Sequence, residues 1–219
     1  MFSKEDLIQE IIDSGYLKSP HIIEAFLAID RKDFVVSEYQ DETYSNIPLP
    51  IGFGQTISQP LTVAFMLELL QPQAGEKILD IGSGSGWTSA LLAYIVSQKP
   101  KGKVIAIERI PELKEFGEKN AAKYNFIKKG VVEFICADGS KGYHNISSRP
   151  EFAEGFDKIL CSAAVREVPQ AWLKQLKIGG RIATPLNGEV QLWIKKSENK
   201  FNIQRFQGFT FVPLITNNE

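Results

Sequence analysis

The chain has 219 residues, 43% apolar and 23% charged, a composition that excludes a disordered or fibrous chain and supplies one substantial core. Lys and Arg number 25 against 26 Asp and Glu, so net charge makes no case for a nucleic-acid or anionic-membrane partner. The two cysteines, Cys136 and Cys161, lack metal-site spacing and are expected buried and reduced on core strands, with no metal bound.

The N-terminus carries charge where a signal peptide needs an apolar core, and no stretch approaches the ~20 apolar residues of a membrane span, so a cytoplasmic location without membrane contact is expected. Ser3 with Asp6 forms a capping-box pattern, and Leu7, Ile8, Ile11 and Ile12 recur at helical spacing until Gly15. Ser19-Pro20 opens a second helix with Ile22, Ile23, Phe26 and Leu27 as its apolar face. Both helices are expected to pack on the main domain as an N-terminal extension. Between Tyr44 and Pro60, Pro48, Pro50, Gly52 and Gly54 predict a shaped loop without regular structure. Residues 60–70 are almost wholly apolar and read as a buried helix.

An alternation follows: strand 77–81, helix 87–97, strand 103–108, helix 111–124, strand 131–136, strand 157–162, helix 169–176 and strand 180–185. Residues 190–196 and 203–212 read as an antiparallel hairpin turning at Ser197–Lys200. The expected fold is α/β, a mostly parallel sheet of about seven strands with helices on both faces and an antiparallel C-terminal edge. The polar tail 216–219 is expected to fray.

The chemistry concentrates at strand ends. Lys77 to Trp87 reads Lys-Ile-Leu-Asp-Ile-Gly-Ser-Gly-Ser-Gly-Trp, an apolar strand running into Asp80 and then Gly82, Gly84 and Gly86, where the missing Cβ atoms let backbone approach a ligand. Glu108 ends the next apolar run and suits a ribose diol, and Asp138 ends a third. A lone acid at a strand end is most simply a helix cap; three in phase with a glycine loop point to a nucleotide-type pocket at the carboxyl ends of parallel strands. The glycine spacing departs from the dinucleotide pattern Gly-x-Gly-x-x-Gly. With Asp80 before it, the loop resembles motif I of the S-adenosylmethionine-dependent methyltransferases. That resemblance gives Glu108 the ribose and places Asp138 and Gly139 beside the adenine.

Residues 48–60 read Pro-Leu-Pro-Ile-Gly-Phe-Gly-Gln-Thr-Ile-Ser-Gln-Pro, a segment that resembles the protein-L-isoaspartate O-methyltransferase family. The similarity extends to Ala28-Ile-Asp-Arg-Lys-Asp-Phe34, Ala137-Asp-Gly139, the run from Val168 to Gly180, and Phe211-Val-Pro-Leu214. It implies a Rossmann-like methyltransferase domain spanning 1–219, with 1–60 as helical extension and substrate loop and 61–219 as cofactor-binding core. It further implies S-adenosyl-L-methionine as cofactor, S-adenosyl-L-homocysteine as product, and isoaspartyl proteins and peptides as substrates, their methyl esters collapsing to succinimides as repair begins. Ser58 takes the catalytic position; Gln55, Thr56, Ile57 and Ser58 join Asp80, Gly82, Gly84, Glu108, Asp138 and Gly139 around the cofactor. Ser58 also reads as a plain helix N-cap before Pro60. Val63 stands where many members have histidine, which bears on a contact to cofactor or substrate there, and Trp87 and Val36 stand where tyrosine and proline are common, as changes of packing.

An isoaspartyl α-carboxyl, with a reference pKa of about 3.3–3.7, is already an anionic nucleophile at neutral pH, so no strong base is required. His21 and His144 accompany no Ser-His-Asp arrangement. Three alternatives stay open: a methyltransferase for another acceptor, an NAD-dependent oxidoreductase, and a non-catalytic module. Amino methylators of nucleic-acid bases often carry Asn-Pro-Pro-Tyr or Asp-Pro-Pro-Tyr after the fourth strand, where this chain has Cys161-Ser-Ala-Ala164. The oxidoreductase is disfavoured by the glycine spacing.

Overall fold

The capping box forms as its sequence demands in the computed structural model, which describes residues 3–216. The Ser3 hydroxyl accepts from the Asp6 amide at 3.1 Å, and the Asp6 carboxylate accepts from the Ser3 amide at 2.9 Å. Helix α1 then runs Lys4–Asp13 and buries Leu7, Ile8 and Ile11. Helix α2, Pro20–Ala28, buries Ile22, Ala25 and Phe26. Leu27, expected on that apolar face, is 45% exposed, because the buried stripe follows the 22-25-26 row and leaves position 27 off it.

Two short 3₁₀ turns, Arg31–Phe34 and Ser37–Glu42, lead to strands β1, Leu49–Gly52, and β2, Gln55–Ile57. These pair antiparallel, Leu49 opposite Ile57 and Pro50 opposite Thr56, so the predicted irregular loop is a small hairpin. A two-stranded ribbon has outer edges on both strands, where proline costs no ladder bond. Helix α3 covers Pro60–Leu70.

The alternation continues as β3 Lys77–Ile81, α4 Trp87–Val96, β4 Lys103–Glu108, α5 Pro111–Ala122, β5 Val132–Cys136, β6 Phe156–Cys161, α6 Gln170–Gln175, β7 Leu176–Leu186, β8 Glu189–Ser197 and β9 Lys200–Gln207. The seven strands from β3 onward order as β5-β4-β3-β6-β7-β8-β9. Pairs from β5 through β7 are parallel, and β8 and β9 close the edge antiparallel. Strand β3 pairs with both β4 and β6, so the chain reverses its direction of travel across the sheet there, and a crevice opens beyond the strand ends.

Alternate residues of the central strands feed two cores. Ile78, Val104 and Ala106 join the cluster with α1 to α5, while Leu79, Ile81, Ile105 and Ile107 join the cluster with Phe156 and Trp172. Strand β9 ends at Gln207 instead of continuing to 212. Gly208 adopts φ 94°, and the chain folds back across the carboxyl ends, where the Ala164 amide donates to Val212 O and the Leu214 amide to Ala164 O, both at 2.8 Å. The apolar run Phe209–Val212 carries strand-like periodicity either way, so sequence pattern could not separate the two outcomes. The tail residues 217–219, subject of the fraying expectation, lie outside the described residues.

Gly86 shows how tightly α4 and α5 meet. It adopts φ 84°, and a Cβ there would lie 2.6 Å from the carbonyl oxygen of Gly117. Gly86→Ala combines left-handed strain with a backbone clash, and is expected to cost about 2–4 kcal/mol of stability. Urea unfolding checks this; a loss below ~0.5 kcal/mol is incompatible with the close contact.

Candidate functional site

Strand β4 delivers Glu108 to the crevice with its carboxylate already committed to backbone. One oxygen accepts from the Arg109 amide at 2.7 Å and the Ile110 amide at 3.1 Å; the other accepts from the Gly84 amide at 2.9 Å. The glycine loop is anchored to the same strand, since the Gly82 and Ser83 amides donate to Ile107 O at 2.8 and 3.1 Å. Asn120 of α5 donates to Ser85 O at 3.1 Å. Loop, strand end and helix thus form one frame.

Beyond this frame lies a partly open cavity at the carboxyl ends of the strands. Gly82, Gly84, Glu108 and Gly139 border it on one side, Gln55, Thr56, Ile57 and Ser58 on the other. Gly139 belongs there for a steric reason: a Cβ would sit 2.5 Å from Ile81 Cγ2. The structure therefore gathers eight of the ten sequence-derived site residues around one space.

The other two lie behind the wall. Asp80, expected to face the ligand, is fully buried, and its carboxylate accepts from the Ser89 hydroxyl at 2.6 Å. Position 80 alternates with Leu79 and Ile81, which places its side chain on the α4 face of the sheet, beneath the glycine loop. Burial raises its pKa to about 6, hydrogen bonds from Ser89 and Thr88 oppose the rise, and nearby Glu108 adds to it. Asp138 is turned into its own loop, accepting from the Ser140 amide at 2.9 Å and hydroxyl at 2.6 Å, and so shapes the turn that presents Gly139.

Ser58 is not a helix cap. The N-cap of α3 is Gln59, with no side-chain cap bond. Ser58 stands instead where the cavity meets a second, open cleft lined by Pro48, Thr62, Phe209 and Phe211, and Thr56, Ser162 and Val212 border both spaces with it. The cavity also takes in Ser83, Trp87, Arg109 and the 212–215 segment, which sequence reasoning did not assign to the site. Fold-back of that segment had no local signal, and Trp87 read as packing. Val63, in the histidine position of the family pattern, borders the cavity as well.

Three buried polar atoms of wall residues, Ser83 Oγ, Trp87 Nε1 and Arg109 Nε, have no hydrogen-bond partner within the protein. Such groups cost free energy unless a ligand satisfies them, so the donors present fit a polar nucleoside ligand. Among the described residues no group of His, Cys, Asp and Glu could hold a metal. Cys136 is exposed where burial was expected: although it shares its face with the buried Val132 and Phe134, it stands at the end of β5, the sheet's edge strand. Cys161 is buried, and burial pushes its thiol pKa up to about 12. No helix among the described residues is long and apolar enough to cross a membrane.

Comparison with known proteins agrees with this geometry. The family model for Protein-L-isoaspartate(D-aspartate) O-methyltransferase (PCMT) matches residues 2–219. A protein-L-isoaspartate O-methyltransferase of Methanopyrus kandleri is 40% identical over 217 residues, covering 97% of this chain and 91% of that protein. The one of Aeropyrum pernix is 41% identical over 214 residues, covering 95% and 78%. A solved protein-L-isoaspartate O-methyltransferase aligns with a TM-score of 0.83 at 29% identity, over 98% of this chain and 67% of that one. A Plasmodium falciparum structure in complex with S-adenosyl-L-homocysteine shares the fold, with a TM-score of 0.85 at 22% identity over 99% and 100%.

Asp80 yields a pH test. A carboxyl whose folded-state pKa lies above its unfolded value contributes stability below that unfolded value, near 3.8, and loses the contribution as pH rises through about 6. Ionised Asp80 therefore strains the ligand-free fold at pH 7.5, on the order of 3 kcal/mol at most. Asp80→Asn is expected to be more stable than the parent at pH 7.5 by about 1–3 kcal/mol, with the difference closing below pH ~4. Urea unfolding at both pH values checks it, and a pH-independent difference rules out titration of this group.

Proposed function

The chain belongs to the protein-L-isoaspartate(D-aspartate) O-methyltransferase family, and on that premise we propose how its residues divide the work. The enzyme methylates the free α-carboxylate of isoaspartyl residues with S-adenosylmethionine, the opening step of a repair sequence that passes through a succinimide. When bound, the cofactor supplies a methyl group on a sulfonium: the O–CH₃ bond forms, the S–CH₃ electron pair returns to sulfur, and no proton moves.

Glu108 keeps one lone-pair site, on the oxygen that accepts from Gly84, for a ribose hydroxyl beyond its three backbone donors, while Gly82, Gly84 and Gly139 let backbone approach the nucleoside. Ser83, Trp87 and Arg109 offer the unpartnered donors. Asp80 and Asp138 work one layer back, holding the glycine loop on α4 and the Gly139 turn in shape. Gln55, Thr56 and Ile57 wall off the methyl end, and Ser58 orients the acceptor carboxylate. Because that carboxylate is ionised at neutral pH, the site needs alignment and exclusion of water rather than a base.

The observation that carries this assignment is the place of Ser58, on the boundary between a cavity suited to the cofactor and an open cleft suited to a polypeptide. Residues 1–60 serve the substrate side and 61–219 the cofactor side of one domain, and the cytoplasm is the proposed site of action. Isoaspartyl-bearing proteins and peptides are its partners in this reading.

Matched isoaspartyl and aspartyl peptides test the activity: only the isoaspartyl one is expected to be labelled, with a base-labile methyl group. Equal labelling, or alkali-stable product, rejects the assignment. Ser58→Ala has no cap to lose, so it is expected to leave the melting temperature nearly unchanged and to lower turnover about 10- to 100-fold. A loss of stability with turnover per folded molecule intact would make Ser58 structural.

A further inference from the structure

Arg31 is 2% exposed, yet among the described residues it takes part in no ion pair. Its guanidinium spends its charge on carbonyls. Nη1 donates to Thr43 O at 2.6 Å and Ser45 O at 3.1 Å; Nη2 donates to Ile47 O at 2.8 Å and Ser58 O at 3.2 Å. The same group lies 5.5 Å from the centre of the Trp87 ring, which is itself a wall of the cofactor cavity. Burial lowers its pKa to about 9, so at neutral pH it remains a cation.

A buried cation without a counter-ion is a poor way to gain stability alone, because desolvation is not repaid by a matching charge. A planar fork of donors supplies something else: it draws four carbonyls spread over residues 43–58 toward one plane, with the angle between them fixed. The turn that carries Arg31 is itself anchored. The Asp30 amide donates to the Tyr124 hydroxyl at 2.9 Å, that hydroxyl donates to Asp33 at 2.6 Å, and the Tyr44 hydroxyl donates to Asp30 at 3.0 Å. Tyr124 follows α5, the helix whose Asn120 holds the glycine loop. One framework therefore reaches the cofactor loop through Asn120 and the Ser58 segment through Arg31.

We propose that Arg31 is a positioning residue for methyl transfer, fixing the Ser58 segment against the Trp87 wall so that acceptor carboxylate and methyl donor meet in line. The inference rests on the functional reading given above. Lysine keeps the charge but presents one ammonium, which cannot hold the same set of carbonyls in a plane.

The test compares full-length parent and Arg31→Lys by thermal unfolding, calorimetric binding of S-adenosyl-L-homocysteine, and steady-state kinetics on an isoaspartyl peptide. The expected result is a dissociation constant within about threefold of the parent and a kcat at least tenfold lower, since sub-ångström misplacement acts on reacting geometry more than on cofactor binding. Parental kcat per folded molecule overturns the proposal. Amide hydrogen exchange on the ligand-free parent provides a second measurement that needs no variant and no activity. Residues 49–57 are expected to be protected before cofactor is added, with less than about threefold further slowing on addition. Exchange at free-peptide rates until S-adenosyl-L-homocysteine binds would mean that the cofactor, not Arg31, sets the segment. A parent that fails to methylate the peptide counts against the functional reading, and the exchange result still decides on Arg31.

Discussion

The Glu108 carboxylate is the joint on which the site depends. It is 7% exposed and accepts three backbone amides, one from the glycine loop and two from the entry to α5. Hydrogen bonds to an ionised acceptor contribute about 1.5–3 kcal/mol each where they are well made, so this one side chain ties β3, β4 and α5 into a single wall. The glycine loop can be pulled that close only because α4 and α5 touch through Gly86 and Gly117. The parallel order of β3, β4 and β6 supplies the crevice; Glu108 gives it a defined edge.

In the proposed division of work, the substrate side is shaped by a hairpin rather than a helix end. Strands β1 and β2 carry Gln55 to Ile57 along the cavity, and Ser58 follows at the boundary with the open cleft. No histidine borders that boundary, since His21 lies on α2 and His144 lines a separate groove beside β5. An acceptor that ionises far below neutral pH makes this arrangement sufficient: the protein has to exclude water and hold two groups in line.

Much of this was legible in the sequence because parallel strands announce themselves as apolar runs ending in a functional residue. The ends at Asp80 and Glu108 fall where the alternation placed them, and the third run, closing at Cys136, leads within two residues to Asp138. Where the side chains point was harder to foresee. Glu108 and Asp80 both end apolar runs on the same face of the sheet, yet Asp80 lies level with Ala106, one pleat short of Glu108, and is covered by Ser89 of α4, a partner visible only once helix and strand are packed. Ser58 before Pro60 satisfied every local rule for a cap, and one residue of offset gave that position to Gln59. The segment 208–216 and Arg31 were out of reach for a common reason. Pattern reasoning sends apolar runs into strands and arginines to the surface, and here tertiary contacts decide both.

The central claim is that Glu108 edges a nucleoside-binding cavity. Calorimetric titration of S-adenosyl-L-homocysteine into the parent and into Glu108→Gln tests it most directly, because this ligand carries the nucleoside and no reactive methyl. The account expects binding to the parent and an affinity about 10- to 100-fold weaker in the variant, the equivalent of losing a hydrogen bond to a charged acceptor. An unchanged dissociation constant in a folded Glu108→Gln protein would contradict it.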